Sequence, residues 1–236
     1  MDTGSDSVVL VRDGKEITRA QFRDEVLAKI PESYSPARHF LVPSIVGGLA
    51  ILVSLALLRA PTAFDWYLVP LLFTLSNAVE WRAHKHVLHR RVKPFELLYD
   101  RHTPVHHRVY MTDDMAIRST REFALVLVPA YGIALILAVT VPIAAVLAFF
   151  GLRNPACLFV ATTTFYVLSY EWLHLSYHLP TNSFIGGLWL VRKLRRHHAL
   201  HHDPRLMQKW NFNVTLPLWD FVRGTIYRES VEPKKP

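Results

Sequence analysis

The amino-acid sequence predicts an all-α integral membrane protein, in which two transmembrane helical hairpins, four spans in all, carry a cytosolic helical cap. Three observations lead to this fold class: long uncharged runs recur along the chain, basic residues avoid the short connections within each hairpin, and histidines concentrate beside the ends of the runs. A chain of 236 residues that is 51% hydrophobic and has a single cysteine is neither a disulfide-bonded scaffold nor a disordered protein.

Residues 1–39 form a polar N-terminal segment without the basic, apolar and small-residue succession of a secretory signal peptide. Within it, Thr18 and Gln21 have the spacing of a capping box at the start of a short amphipathic helix. We expect this helix to lie on the protein body or on the membrane surface.

Four apolar stretches account for the predicted spans, at about residues 40–59, 62–80, 122–151 and 154–172. A helix needs about 20 residues to cross the core of a bilayer, which suits the first, second and fourth stretches. The third contains Pro129 and Pro142 and is long for one span but short for two. We therefore predict one long kinked helix there. Residues 40–236 then form one domain, with cytosolic regions at 81–121 and 173–228.

The basic residues predict the orientation of these spans. Of the 27 Lys and Arg residues, 25 lie in the N-terminal segment, between the two hairpins or after His178. The positive-inside rule places that side, with both termini and all the histidine boxes, in the cytoplasm. The formal net charge of +8 is thus explained by topology, so nucleic acid is not an expected partner. The oligomeric state is left open.

The chain has 13 histidines, and all but His39 fall into four boxes on the predicted cytoplasmic side. The boxes contain His84, His86 and His89; His102, His106 and His107; His174 and His178; and His197, His198, His201 and His202. Imidazole is the commonest metal ligand, and the frequent i,i+4 spacing directs side chains from one helix face toward a common point. His84 and His89 are about 140° apart on an ideal helix, so they require a helix end or two metal ions. The number of imidazoles exceeds the capacity of one ion and predicts two.

The four boxes, in this order around two pairs of spans, resemble the membrane-bound fatty acid hydroxylase/sterol desaturase superfamily. The resemblance covers about Phe40 to Tyr227 and includes the stretch HHALHHDPR from His197 and the stretch NFNVTLPLWDFVRGT from Asn211. It implies an oxidoreductase of the monooxygenase type that uses O2 and a histidine-bound di-iron centre to hydroxylate a C–H bond of a lipid, such as a fatty acyl chain or a sterol.

Carried over box by box, the resemblance implies a set of metal ligands. They are His84, His89, His102, His106, His107, His174, His178, His198, His201 and His202. The second box has three residues between His102 and the following pair, where fatty acid 2-hydroxylases usually have two, and His86 could replace His84. Neutral imidazole suits Zn, Cu, Fe and Ni alike, so iron is inferred from the O2 chemistry, and zinc could replace it in purified protein.

Ligand imidazoles usually donate their second N–H to a carboxylate or a carbonyl, which identifies candidate supporting residues. They are Glu80, Glu171, His86, His197, Asp203, Asn211, Asn213 and Asp220. Glu80 and Glu171 stand out because each lies at the end of a predicted span, just before a histidine box. A carboxylate at the membrane border is energetically unfavourable unless it has a partner or a function. No catalytic residue beyond the metal centre is predicted.

Other functions remain open at this stage. A lipid desaturase or a carotenoid-type hydroxylase would use the same metal site, and a divalent-metal transporter or sensor would also need histidines. Transporters, however, place their ligands near the bilayer midplane. The sequence contains no Gly-x-Gly-x-x-Gly, no cysteine framework and no His-Pro-Gly-Gly. We therefore expect two partners for this protein. One is the membrane lipid substrate, and the other is a separate electron donor, such as a cytochrome b5-like protein, a ferredoxin or a reductase.

Overall fold

The computed structural model describes residues 9–12, 15–129 and 131–228 and is mostly helical. Its N-terminal elements are β1 (Val9–Arg12), β2 (Lys15–Thr18), α1 (Arg19–Ala28), α2 (Pro36–Ala56) and α3 (Ala63–Ala83). A π-helical turn (His84–Leu88), α4 (Glu96–Arg101), a second π-helical turn (His102–His106), α5 (His107–Val109), a 3-10 turn (Thr120–Glu122) and α6 (Phe123–Val126) follow. The C-terminal half contains α7 (Gly132–Phe149), α8 (Arg153–Tyr177), α9 (Phe184–Gly187), α10 (Trp189–His201) and α11 (Leu218–Arg223).

The N-terminal segment departs from the all-α prediction because β1 and β2 pair as an antiparallel hairpin, with Val9 opposite Thr18. The predicted capping box of α1 is confirmed. Thr18 Oγ1 accepts the backbone N–H of Gln21 at 3.2 Å, and Gln21 Oε1 accepts the N–H of Thr18 at 2.8 Å. The helix α1 lies on the protein body, which is one of the two expected locations. Its residue Phe22 is 3% exposed and packs in a core cluster with Val109 and Leu175.

Three helices of the described chain are long and apolar enough to cross a membrane: α2, α7 and the stretch Arg153–His178, which includes α8. The helix α3 has 21 residues but is more polar, and the four-span arrangement stays a prediction. The helices α2, α3 and α7 all pack against α8. The contact with α2 is close at Gly47, where a Cβ atom would stand 2.9 Å from Cδ1 of Leu168.

The predicted long kinked helix over residues 122–151 is wrong. The helix α6 ends at Val126, Leu127 is extended with φ −75° and ψ 147°, and α7 begins only at Gly132. Pro129 explains the break, because it lacks an N–H and favours an extended residue before it. Pro142, by contrast, is accommodated inside α7. The break frees the carbonyl of Leu125 and both backbone groups of Val128 from helical hydrogen bonds, so that they bond to side chains.

Further described residues form a helical cap, which we define as α1 together with residues 84–129 and 179–228. The two longer parts of the cap follow the C-terminal ends of α3 and α8. Within it, α10 buries Val191 and Leu194 on the same side as His198 and His201. The helix α11 packs against α3, which brings the segment at residues 210–215 next to the first histidine box. The cap therefore gathers residues from both ends of the chain around the histidines.

Candidate metal centre

The structure brings the ten histidines proposed as ligands into two adjoining buried groups. Group A consists of His84, His89, His102, His107 and His201, and group B of His106, His174, His178, His198 and His202. Within each group, one nitrogen atom of every member lies within 4.8 Å of the others. None of the ten side chains is more than 7% exposed. The groups meet where the rings of His107 and His202 stack with centroids 4.2 Å apart.

Group A depends on the two π-helical turns. A π-helix closes i→i+5 hydrogen bonds, and the N–H of His89 donates to the carbonyl of His84 at 3.2 Å. Residues five apart therefore lie on the same side of the turn, so His84 joins His89 and His102 joins His107. The expected divergence of the first pair applies to α-helical geometry and does not hold here.

Group B is assembled mainly from pairs four residues apart. His174 and His178 come from the end of α8, and His198 and His202 from the end of α10. The π-helical turn separates two residues that were expected to converge, since His106 joins group B while His102 joins group A. On α10, His201 likewise points to group A, away from its neighbours, because adjacent helical positions are about 100° apart.

Backbone carbonyls determine the tautomer of five histidines. Each donates from Nδ1 to a carbonyl oxygen: His84 to Phe212, His106 to Leu125, His178 to Met115, His201 to Trp210 and His202 to Tyr110. A carbonyl oxygen can only accept a hydrogen bond, so the proton of the neutral ring is on Nδ1. The Nε2 atom of each ring therefore carries a free lone pair.

In one short contact, two such lone pairs face each other. The Nε2 atoms of His89 and His201 are 2.9 Å apart. The hydroxyl of Thr103 donates to the carbonyl of Leu88 at 2.8 Å and so accepts from Nδ1 of His89 at 3.1 Å, which leaves a lone pair on that Nε2 atom too. Two lone pairs at this distance repel unless a cation lies between them.

The spacing of the nitrogens also fits a metal ion. Contacting Nε2 pairs in the two groups are separated by 2.9 to 3.2 Å. Two ligands at right angles with bonds of about 2.1 Å would be about 3.0 Å apart. In group B, Nε2 of His178 is buried and has no hydrogen-bond partner among the described residues. Each group thus has the donor atoms to hold one metal ion.

Burial keeps eight of the candidate ligand histidines, those that lie in the cap, neutral. It lowers the pKa of His84 to about 4 and that of His89 to about 2. Burial, reinforced by neighbouring imidazoles, also takes the pKa of six more far below the usual value: His102, His106, His107, His198, His201 and His202. A neutral imidazole binds a metal ion without first releasing a proton, so these rings are ready to bind at neutral pH.

Glu80 supports group A indirectly. Its buried carboxylate accepts the backbone N–H groups of Val214 and Thr215, as well as the hydroxyls of Thr215 and Tyr166. It thereby anchors the segment at residues 210–215 to α3. That segment carries the carbonyl of Phe212, which accepts the Nδ1 proton of His84.

Asp220 holds the same segment from the other side. It accepts the N–H groups of Phe212 at 3.0 Å and Asn213 at 2.8 Å, and the indole N–H of Trp81 at 3.1 Å. Its histidine partner is His197, at 3.1 Å, which belongs to neither group. The two carboxylates therefore act on the backbone that orients the ligands rather than on the ligands themselves.

The two asparagines also shape this segment. Asn211 has a left-handed backbone with φ 58°, and its side chain bonds to the carbonyl of His197 at 3.0 Å and the N–H of Tyr227 at 2.8 Å. Asn213 donates to the carbonyl of Asn77 at 3.0 Å. Both amides therefore bond to backbone groups and hold the segment without contacting a metal ligand.

The remaining candidate supporting residues lie outside groups A and B. His86 is half-buried and outside both groups. Asp203 pairs with the exposed Arg205 at 2.6 Å. Glu171 accepts the N–H of Val128 at 3.1 Å, in the break after α6, and its other oxygen is buried without a partner among the described residues. Among these, Glu171 is the one that lies one helical turn before a group B histidine.

The N-terminal helix α1 reaches group B through a buried arginine that sequence reasoning missed. Arg23 is 2% exposed, and its guanidinium lies 5.3 Å above the ring of Tyr110 and 3.9 Å from Glu122. The hydroxyl of Tyr110 donates to Glu122 at 2.8 Å, and its carbonyl accepts the Nδ1 proton of His202 at 2.6 Å. Nothing in the local sequence marks an arginine of a short helix as part of this network.

Comparison with known proteins agrees with this site. Residues 69–225 match the model of a family described as fatty acid hydroxylase. The chain belongs to this family. The matched range includes all ten histidines of groups A and B, whereas α1 and Arg23 lie outside it.

The fold also has a relative of known structure. A protein described as full-length scs7p, of which only the hydroxylase domain is visible, is 20% identical with a TM-score of 0.53 over 84% of this chain and 69% of that chain. At this identity the likeness concerns the fold. The search of curated proteins gave no match.

Proposed function

We propose that the protein is an integral membrane enzyme that uses O2 and two iron ions to hydroxylate a C–H bond of a lipid. The observation that carries the proposal is the pair of buried five-imidazole groups, each with converging ring nitrogens, in a member of the fatty acid hydroxylase family. Group A would hold one ion and group B the other. Bound iron would supply the redox chemistry with O2 that an unactivated C–H bond requires. Zinc could occupy the same nitrogens without supporting that chemistry.

The protein's own groups would hold this centre ready to react. The backbone carbonyls keep the protons on Nδ1, so the Nε2 atoms face inward as ligands. Burial keeps bulk water from the rings and disfavours their protonation. A separate electron donor, such as a cytochrome b5-like protein, a ferredoxin or a reductase, would supply reducing equivalents.

We further propose that α3 is a fourth span and that the cap faces the cytoplasm. The distribution of basic residues supports this orientation. A contact between the start of α8 and the connection from α2 to α3 supports the arrangement of spans, because the side chain of Asn154 bonds to both the N–H and the carbonyl of Arg59, each at 2.9 Å. The short connections of the two hairpins would then lie together on the opposite side of the membrane.

The test combines metal analysis with lipid analysis. Purified protein should contain close to two iron ions per chain, and an expressing host grown under 18O2 should accumulate a lipid with one added labelled oxygen. The His174→Ala variant should give neither the second ion nor the product. Wild-type protein that binds neither iron nor zinc in the two groups, or product formation by the variant, would overturn the proposal.

The same experiment separates the alternative functions. A lipid that loses two hydrogens and gains no oxygen would indicate a desaturase, and a hydroxylated carotenoid ring would indicate a ring hydroxylase. Metal flux into vesicles without O2 consumption would instead indicate a transporter. The enclosed position of the histidines, none more than 7% exposed, favours an enzyme centre over a transport path.

A further inference from the structure

A cavity of about 560 Å³ lies at the edge of the cap, between α1, the start of α2 and the break after α6. This volume is within the range of roughly 300 to 1,000 Å³ typical of ligand pockets. Its walls combine apolar side chains such as Ile30 and Leu125 with three cations, Lys29, Arg38 and Arg101.

The positive charge of this cavity is not balanced by its walls. None of the described lining residues is acidic. The acidic neighbour of Arg101 in sequence, Asp100, is engaged by Arg91 in a two-pronged contact of 2.9 and 3.0 Å. The recorded hydrogen bond of Arg101 goes to the carbonyl of Ala124 at 2.7 Å. Three cations in a concave surface therefore attract an anion from outside the protein.

The location indicates which anion is available. Ser35 caps the N-terminus of α2, and Arg38 lies in the first turn of that helix, which is one of the candidate membrane spans. The cavity therefore lies where the chain would enter the headgroup layer. Basic pockets at this depth on the cytoplasmic side of membrane proteins bind anionic lipid headgroups.

Hydrogen bonds fix the backbone of one wall of the cavity. Arg121 donates to the carbonyls of Ile30 at 2.6 Å and Pro31 at 3.1 Å, which fixes the turn between α1 and α2. A preformed site loses less free energy to ordering when it binds.

We propose that this cavity binds the phosphate-bearing headgroup of an anionic phospholipid. The cations contact the phosphate, and the apolar wall contacts the adjoining part of an acyl chain. The site is distinct from that of the C–H bond to be oxidised. Its wall residue Leu125 accepts the Nδ1 proton of His106 at 3.0 Å, so the cavity lies behind this ring, on the side opposite the metal-facing Nε2 atom.

Lipid retention by full-length protein in nanodiscs and by native mass spectrometry tests this site. The probes are phosphatidylglycerol, phosphatidylcholine and inorganic phosphate. The test variant is Lys29→Gln/Arg38→Gln, which spares Arg101 because that residue adjoins His102. The control variant, Arg192→Gln/Lys209→Gln, removes two exposed cations elsewhere on the cap. Bound-metal content and thermal unfolding report whether each variant is folded, and the two single variants replace the double variant if it is not.

Wild-type and control protein should retain phosphatidylglycerol in preference to phosphatidylcholine, and the test variant should lose this preference by at least about tenfold, the effect of 1.4 kcal/mol. Metal content should be unchanged in all three. An equal loss in the test and control variants would show a general charge effect and overturn the proposal. Displacement of the lipid by inorganic phosphate at equal concentration would overturn it in favour of a free-anion site.

Discussion

The two histidine groups have the same composition but depend on opposite ends of the chain. Group A is oriented by the C-terminal segment at residues 210–215, which hydrogen-bonds to Glu80 and Asp220 and so stays next to α3. Group B is oriented by the carbonyl of Tyr110, a residue whose ring contacts Arg23 and whose hydroxyl donates to Glu122. The halves of one centre can therefore be weakened separately, by changes far apart in sequence.

The groups also differ in helix geometry. Group A contains two pairs five residues apart on π-helical turns, and group B contains two pairs four residues apart on α-helices. Each helix type brings together the residues that its own period aligns. The spacing of a histidine box is thus informative only once the type of helix is known.

Removing one ligand from each group should have the largest effect. We expect His84→Ala to lose the ion of group A and His174→Ala that of group B, and both to abolish lipid oxidation. The loss should exceed the roughly 10- to 100-fold effect of an outer hydrogen-bond partner. Metal analysis by mass spectrometry checks the stoichiometry. Two ions retained in both variants would break the assignment of one ion to each group.

Acid should weaken both groups together. Burial lowers the folded-state pKa of His84 from 6.5 to about 4, and the pKa values of the other ligand histidines in the cap shift the same way. Below pH 6.5 the unfolded chain therefore binds more protons than the folded chain, and the free energy of unfolding falls as pH falls. Denaturant unfolding of chelator-treated protein at pH 7.5 and 5.5 measures this. Equal stability at both values would contradict the buried, neutral rings.

A selective loss from group A is expected for Asp220→Ala. The variant frees the N–H groups of Phe212 and Asn213, so the carbonyl that orients His84 is no longer held. We expect metal affinity to fall about 10- to 100-fold at one ion, as measured by competition with a chelator. Asp203→Ala is the matched control, because that carboxylate contacts the exposed Arg205. A similar loss in both variants would argue against the role of the segment.

A smaller, selective loss from group B is expected for Arg23→Met, which keeps the apolar stem but removes the charge beside Tyr110 and Glu122. We expect about a tenfold drop in affinity for the other ion, with partial recovery in Arg23→Lys. Arg19→Met is the control, since Arg19 is equally buried on α1 but bonds to Asp113 at 2.7 and 2.8 Å. If Arg19→Met lowers the affinity as much, α1 acts only through folding.

The smallest effect is expected for His86→Ala. His86 lies outside both groups, so the variant should retain two ions and full activity. Loss of one ion would show that His86 replaces His84 as the ligand of the first box. The comparison between His84→Ala and His86→Ala thus decides an alternative that sequence spacing leaves open.

Local chemistry made part of this protein predictable. The capping box of α1 depends on Thr18 and Gln21, three residues apart, and the structure confirms it. The approximate positions of the long helices also follow from uncharged runs. The break before α7 does not follow from the sequence, because a proline can either stay inside a helix, as Pro142 does, or follow the end of one, as Pro129 does.

The sequence by itself determined the residue types of the candidate centre and their place beside the ends of the apolar runs, since these are properties of single segments. Only the tertiary structure decided how the ten histidines divide into two groups, because the division depends on the π-helical turns and on helices far apart in sequence. It also decided which groups orient the rings. These are mostly backbone carbonyls, which every residue possesses, so no sequence pattern distinguishes the ones that are used.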